Sequence, residues 1–97
     1  MKHLLQVEDT FQVTGRGLIV APDIPFPSRF TNFTDTVTIV PPGSEPFEAE
    51  ANFFLTHFNP SGFKLLITFP LVAKEALPIG SSILASESTH SRLAVDA

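Results

Sequence analysis

Residues 7–20 constrain the fold of this chain most, because apolar and polar residues alternate there around two glycines. The stretch is Val-Glu-Asp-Thr-Phe-Gln-Val-Thr-Gly-Arg-Gly, and it continues into Leu-Ile-Val. Glycine adopts the positive φ angles of a tight reversal without steric cost. An alternating segment, a glycine turn and a second apolar segment are typical of a β-hairpin. We therefore predict a hairpin near the N-terminus.

The rest of the sequence favours short strands over helices. Nine prolines and five glycines interrupt the 97 residues, and no helical apolar period persists between them. Alternation predicts strands at residues 4–13, 35–40, 47–56 and 63–69, with a final strand ending near residue 84. The sequence therefore predicts an all-β fold, a small antiparallel barrel of about six strands.

A chain of this length can enclose one modest core. Six positions of the alternating pattern are expected to meet in that core: Val7, Phe11, Ile39, Phe53, Leu65 and Ile67. Asp9 falls on the same side of its strand as Phe11. Because an unpartnered buried carboxylate is costly, either a bulge turns Asp9 outward or a nearby turn or backbone group donates hydrogen bonds to it.

Two segments depart from regular alternation. Residues 21–34 contain three prolines in close succession, so they can follow an edge or form an extended loop but cannot occupy the middle of a sheet. We expect Phe26, Phe30 and Phe33 of this segment to pack over an end of the barrel. Residues 85–97 are polar and without a pattern. We therefore assign residues 1–84 to a single barrel domain and expect a flexible C-terminal tail after it.

The composition bears on location and cofactors. The sequence contains no cysteine, which excludes disulfides and thiolate metal sites. The first residues lack the apolar segment of a signal peptide, and no apolar run approaches the roughly 20 residues of a membrane helix. The three histidines are dispersed without the spacing of metal ligands. We expect a cytoplasmic protein with no membrane contact, no metal and no cofactor.

Two pairs of residues on the predicted strands are candidates for function. Glu48 and Glu50 lie on one face of a strand about 7 Å apart, a spacing that suits a carboxylate pair. The alternative is a solvated outer face, because no further acid, base or nucleophile is spaced to join them. Phe54 and Leu66 point outward on strands expected to pair. They form either the start of an interaction surface or two ordinary exposed apolar residues.

The hairpin motif resembles the opening of the second domain of elongation factor Tu and related translation GTPases, in which a Val-Glu-Asp-x-Phe strand runs into Thr-Gly-Arg-Gly. The resemblance extends to residues 65–84, where an apolar strand that begins with paired leucines precedes a turn with lysine and glycine. It implies a barrel of the translation-factor domain II type. The family's Glu, Asp and Phe help to bind the terminal adenosine and aminoacyl group of charged tRNA. By motif match, these residues are Glu8, Asp9 and Phe11.

The chain contains no Gly-x-x-x-x-Gly-Lys-Ser/Thr loop, so we expect a barrel that stands alone without the GTPase domain. Ten acidic and six basic residues give a net charge of −4, which opposes binding along a phosphate backbone. We therefore expect a noncatalytic binding module that contacts a protein, with a link to translation implied by the resemblance. The partner is a different protein or a second copy in a homodimer that buries Phe54 and Leu66. An RNA-end reader that uses Glu8, Asp9 and Phe11 is the alternative, and an enzyme of unknown class ranks third.

Overall fold

The computed structural model of the protein describes residues 1–58 and 62–94 and confirms the all-β fold. Seven strands form one antiparallel sheet: β1 (Lys2–Gln6), β2 (Asp9–Val13), β3 (Gly17–Ile24), β4 (Phe33–Val40), β5 (Phe47–Phe58), β6 (Gly62–Phe69) and β7 (Ser82–Ala85). A 3₁₀ helix (Lys74–Ala76) precedes β7, and a helix, α1 (Glu87–Leu93), follows it. The strand order is β1-β7-β4-β5-β6-β3-β2, and the sheet curls into a half-barrel.

The single strand predicted over residues 4–13 is two strands, separated at Val7 and Glu8. β1 pairs with β7 and β2 pairs with β3, so the two strands form opposite edges of the sheet. The Val7 amide donates to the Ser81 carbonyl, and the Gly80 amide donates to the Val7 carbonyl, both at 2.8 Å. The Glu8 amide donates to the Ala21 carbonyl at 2.8 Å. Residues 7 and 8 therefore carry the chain between the two edges and tie them together.

This break shifts the alternation by one residue, which exchanges the two faces of the strand. Thr10 is buried at 5% exposure, whereas Phe11 exposes 51% of its surface. The prediction that Phe11 lies in the core is therefore wrong. Asp9 is turned outward, which was one of its two predicted positions, and its carboxylate accepts a hydrogen bond from the Thr10 amide at 2.8 Å. The break in the strand turns Asp9 outward in place of the predicted bulge.

The core lies on the concave side of the sheet. The other five predicted core residues are confirmed there: Val7, Ile39, Phe53, Leu65 and Ile67. The predicted hairpin is also confirmed, with β2 antiparallel to β3 across a turn that contains Gly15. β5 keeps its predicted alternation, since Ala51 and Phe53 are buried while Glu48 and Glu50 are exposed.

The proline-rich segment is more regular than predicted. β3 continues through Pro22 to Ile24, and its pairing with β6 shifts register between Val20 and Ile24. Proline is tolerated at such an irregularity because its missing N–H breaks no regular pair. Phe26, Phe30 and Phe33, predicted to pack over an end of the barrel, are partly buried and pack against the core. Their rings form a series that ends on Phe53, and the centroids of Phe33 and Phe53 lie 4.6 Å apart.

The C-terminal segment is not a patternless tail, because residues 87–93 form α1. The Ser86 hydroxyl caps this helix by accepting a hydrogen bond from the Thr89 amide at 3.2 Å. Thr89 and Leu93 are buried, and the Thr89 hydroxyl donates to the carboxylate of Asp35 on β4. Packed structure thus continues past the predicted domain boundary at residue 84. Residues 95–97 of the predicted tail, and residues 59–61 of the β5–β6 connection, lie outside the described residues.

Candidate functional site

Four apolar side chains on the outer face of the sheet form a row that we call the outer band: Phe11, Ile19, Leu66 and Phe54. Phe11 on β2 lies opposite Ile19 on β3, and Leu66 on β6 lies opposite Phe54 on β5. Ile19 also lies opposite Thr68, two residues from Leu66 on the same strand. Such diagonal neighbours are about 7 to 8 Å apart, within reach of long side chains. The outer band therefore crosses four adjacent strands.

Exposure along the outer band is uneven. Phe11 exposes 51% of its surface on the edge strand β2, while Ile19, Leu66 and Phe54 are half-buried. The predicted outward orientation and pairing of Phe54 and Leu66 agree with the observed register. Phe11 comes to the same face because of the break at residues 7 and 8. The predicted interaction surface is thereby enlarged by a residue assigned from the sequence to the core.

The turn of the β2–β3 hairpin lies over the Phe54 end of the outer band. The guanidinium carbon of Arg16 is 5.0 Å from the centre of the Phe54 ring, which is a cation–π distance. Beside this contact is a groove of about 320 Å³. The groove adds hydrogen-bonding side chains from Asn32, Asn52 and Thr68 to the ring and the guanidinium. This end of the outer band therefore combines an aromatic ring, a guanidinium group and hydrogen-bonding side chains.

The three residues matched to the RNA-end pocket are all exposed. Glu8 lies at the break before β2, and Asp9 and Phe11 lie two residues apart on β2. Residues at this spacing share a face, so Asp9 borders the outer band beside Phe11. Phe11 is thus both one of the three residues matched to the RNA-end pocket and a member of the outer band.

The remaining candidates are the carboxylates of Glu48 and Glu50. Glu48 and Glu50 are exposed on the outer face of β5, as in the solvated-face alternative. Within residues 1–58 and 62–94, no group of three or more His, Asp or Glu side chains is arranged to hold a metal ion. No helix in the same ranges has the length and apolar character needed to cross a membrane.

One cationic site was not predicted from the sequence, because α1 was not predicted. Arg92 on α1 lies over the ring of Phe33, with its guanidinium carbon 4.9 Å from the ring centre. Arg29 joins it beside a groove of about 260 Å³. Ser86 followed by an acidic residue in the first turn was a recognisable helix start, but no local pattern indicates that Arg92 meets Phe33.

Comparison of the chain with protein families, with curated proteins and with solved structures finds no match. The class of protein is therefore defined by the fold and the site alone. It is an all-β half-barrel domain with an apolar outer band that ends at an arginine and an aromatic ring.

Proposed function

We propose that this chain is a noncatalytic binding module that contacts another protein through the outer band. The observation that carries the proposal is the alignment of four apolar side chains on the outer face of four adjacent strands, with Phe11 half exposed at one end. Contiguous apolar surface on a small domain is typical of an interaction site. Aromatic residues and arginine, both present here, contribute most to protein interfaces.

The resemblance of the hairpin motif to the second domain of elongation factor Tu supports a partner that acts in translation. The same band also suits self-association, because a symmetric dimer covers one apolar patch with its own copy. Light scattering separates these two partners. A dimer that dissociates in Phe54→Asp supports a second copy as the partner. A monomer at high concentration, unchanged in Phe54→Asp, excludes self-association and leaves the different protein.

A pull-down from native cytoplasmic extract with separate protein and RNA readouts tests the proposal. We expect a specific protein to be retained by the natural chain and lost with Phe11→Asp. Phe63→Asp is the matched control, because Phe63 is 61% exposed and lies outside the outer band. Retention of the same protein by Phe11→Asp, or equal loss with Phe63→Asp, contradicts a binding role for the outer band.

Reading of an RNA end is the second candidate, and the exposure of Phe11 beside Asp9 favours it. A carboxylate accepts hydrogen bonds from ribose hydroxyls, and an accessible ring stacks on a base. The net charge of −4 opposes it, since neighbouring phosphates are repelled. Recovery of RNA in place of protein, with loss in Glu8→Ala, would move this candidate to first place.

A further inference from the structure

Among the described residues, the first half of β5 has a sheet partner on only one side. Residues 47–51 pair with β4, from Phe47 opposite Ile39 to Ala51 opposite Asp35. On the other side, pairing with β6 begins only at Asn52. We call residues 47–51 the open edge of β5.

The end of β6 explains why this edge is open. β6 ends at Phe69, and Pro70 follows without an N–H to donate to a neighbouring strand. Residues 70–76 then form a turn and the 3₁₀ helix, and they make no backbone hydrogen bond with the open edge. A strand directs alternate N–H and C=O groups to its two sides. Within the described part of the chain, backbone donors and acceptors of the open edge therefore have no partner on the side away from β4.

An apolar groove lies alongside the open edge. Its volume is about 340 Å³, and residues 71–73 and Ala76 form its far wall. Phe47, Ala49 and Val72 are half-buried against the core, while Leu71 exposes 87% of its surface. An added strand would therefore have backbone partners on one side and apolar contacts on the other.

The charges at the groove define the chemistry of its occupant. Glu48 and Glu50 are exposed and line the groove, and no lysine or arginine among residues 1–58 and 62–94 lines it. Neither carboxylate has an ion-pair partner in the described part of the chain. Cationic side chains on an added strand would face these two carboxylates, since side chains on one face of paired strands lie opposite each other.

We propose that the open edge binds an extended segment of a partner protein by strand addition. The segment carries lysine or arginine at alternate positions, which face Glu48 and Glu50, and small apolar residues between them, which face Phe47 and Ala49. Backbone hydrogen bonds supply affinity in this mode of recognition, and alternate side chains supply specificity. The site shares no residue with the outer band, so it stands independently of the function proposed above.

A six-residue peptide of alternating lysine and valine, blocked at both ends and fluorescently labelled, is the probe. We expect it to bind the full chain in low salt by fluorescence anisotropy and to slow amide hydrogen exchange at residues 47–51. Glu48→Lys with Glu50→Lys should weaken binding by about tenfold or more, because attraction becomes repulsion. Asp23→Lys with Glu87→Lys is the matched control, since it changes the net charge equally at exposed residues outside the groove.

Two further comparisons separate strand addition from simple charge attraction. A lysine–proline peptide of equal charge lacks the backbone donors at alternate positions, so we expect it not to bind. Leu71→Asn tests the wall without disturbing the fold or changing the charge, because Leu71 is 87% exposed, and it should weaken binding of the lysine–valine peptide.

Equal binding of the two peptides, equal loss in both charge-reversed variants, or exchange protection outside residues 47–51 would overturn the proposal. Protection of residues 47–51 that rises with protein concentration in the absence of peptide would also overturn it, because the occupant would then be a second copy of this chain.

Discussion

Phe53→Ala tests whether the curled sheet encloses a single core. Phe53 is fully buried on β5, and Phe33 and Ile67 lie opposite it on the two neighbouring strands. Its ring stacks on that of Phe33 at 4.6 Å with an interplanar angle of 11°. Because paired strands hold the backbone on both sides, the site cannot collapse to fill the space that the ring leaves.

Truncation of a buried phenylalanine to alanine costs about 3 to 5 kcal/mol, and sites that collapse poorly fall in the upper part of this range. We therefore expect a loss of about 4 to 5 kcal/mol in the free energy of unfolding. Native domains are stable by only about 5 to 15 kcal/mol, so this loss should remove between roughly a quarter and nearly all of the stability. Phe53→Leu keeps most of the apolar volume and should cost less than about 1.5 kcal/mol.

Urea denaturation followed by circular dichroism measures these losses. Phe63→Ala on β6 is the control, because Phe63 is 61% exposed and its change should stay within about 0.5 kcal/mol. A loss of less than about 1 kcal/mol in Phe53→Ala, or an equal loss in Phe63→Ala, would refute a single core built around Phe53.

Three further predictions concern backbone geometry, helix docking and RNA. Gly17→Ala should cost more than about 2 kcal/mol in urea denaturation, because its φ is 90° and a Cβ there would lie 2.6 Å from the Pro70 Cα. Gly15→Ala, with a φ of 82° but open space, should cost only about 1 kcal/mol. Asp35→Ala should cost about 1 to 3 kcal/mol, because the buried Thr89 hydroxyl loses its acceptor. The same change should cost less in a chain that already carries Thr89→Val. If the losses of the two single variants add up in the double variant, the two side chains are not coupled. Titration of labelled CCA-ended RNA at low salt should give a Kd weaker than about 100 μM, and micromolar binding that is lost in Glu8→Ala would refute this expectation.

Local sequence patterns predicted some features of the candidate sites and missed others. The outward pairing of Phe54 and Leu66 followed from alternation on two neighbouring strands, because an antiparallel hairpin preserves it. The exposure of Phe11 did not follow, since it depends on hydrogen bonds from residues 7 and 8 to Gly80, Ser81 and Ala21. The open edge could not be predicted from local sequence either, because it arises where β6 ends before it reaches the first half of β5.

The sequence by itself determined the all-β class, the N-terminal hairpin and the faces of β5, because these follow from side-chain period and glycine turns within a few residues. Only the tertiary structure decided which face of β2 points outward, where α1 docks and which strand edge stays unpaired. The Thr89 hydroxyl donates a hydrogen bond to Asp35, which is 54 positions away in the sequence. The Gly80 amide likewise donates to the carbonyl of Val7, near the N-terminus. Contacts of this kind arise when the sheet curls and brings distant backbone together, so no local pattern of residues specifies them.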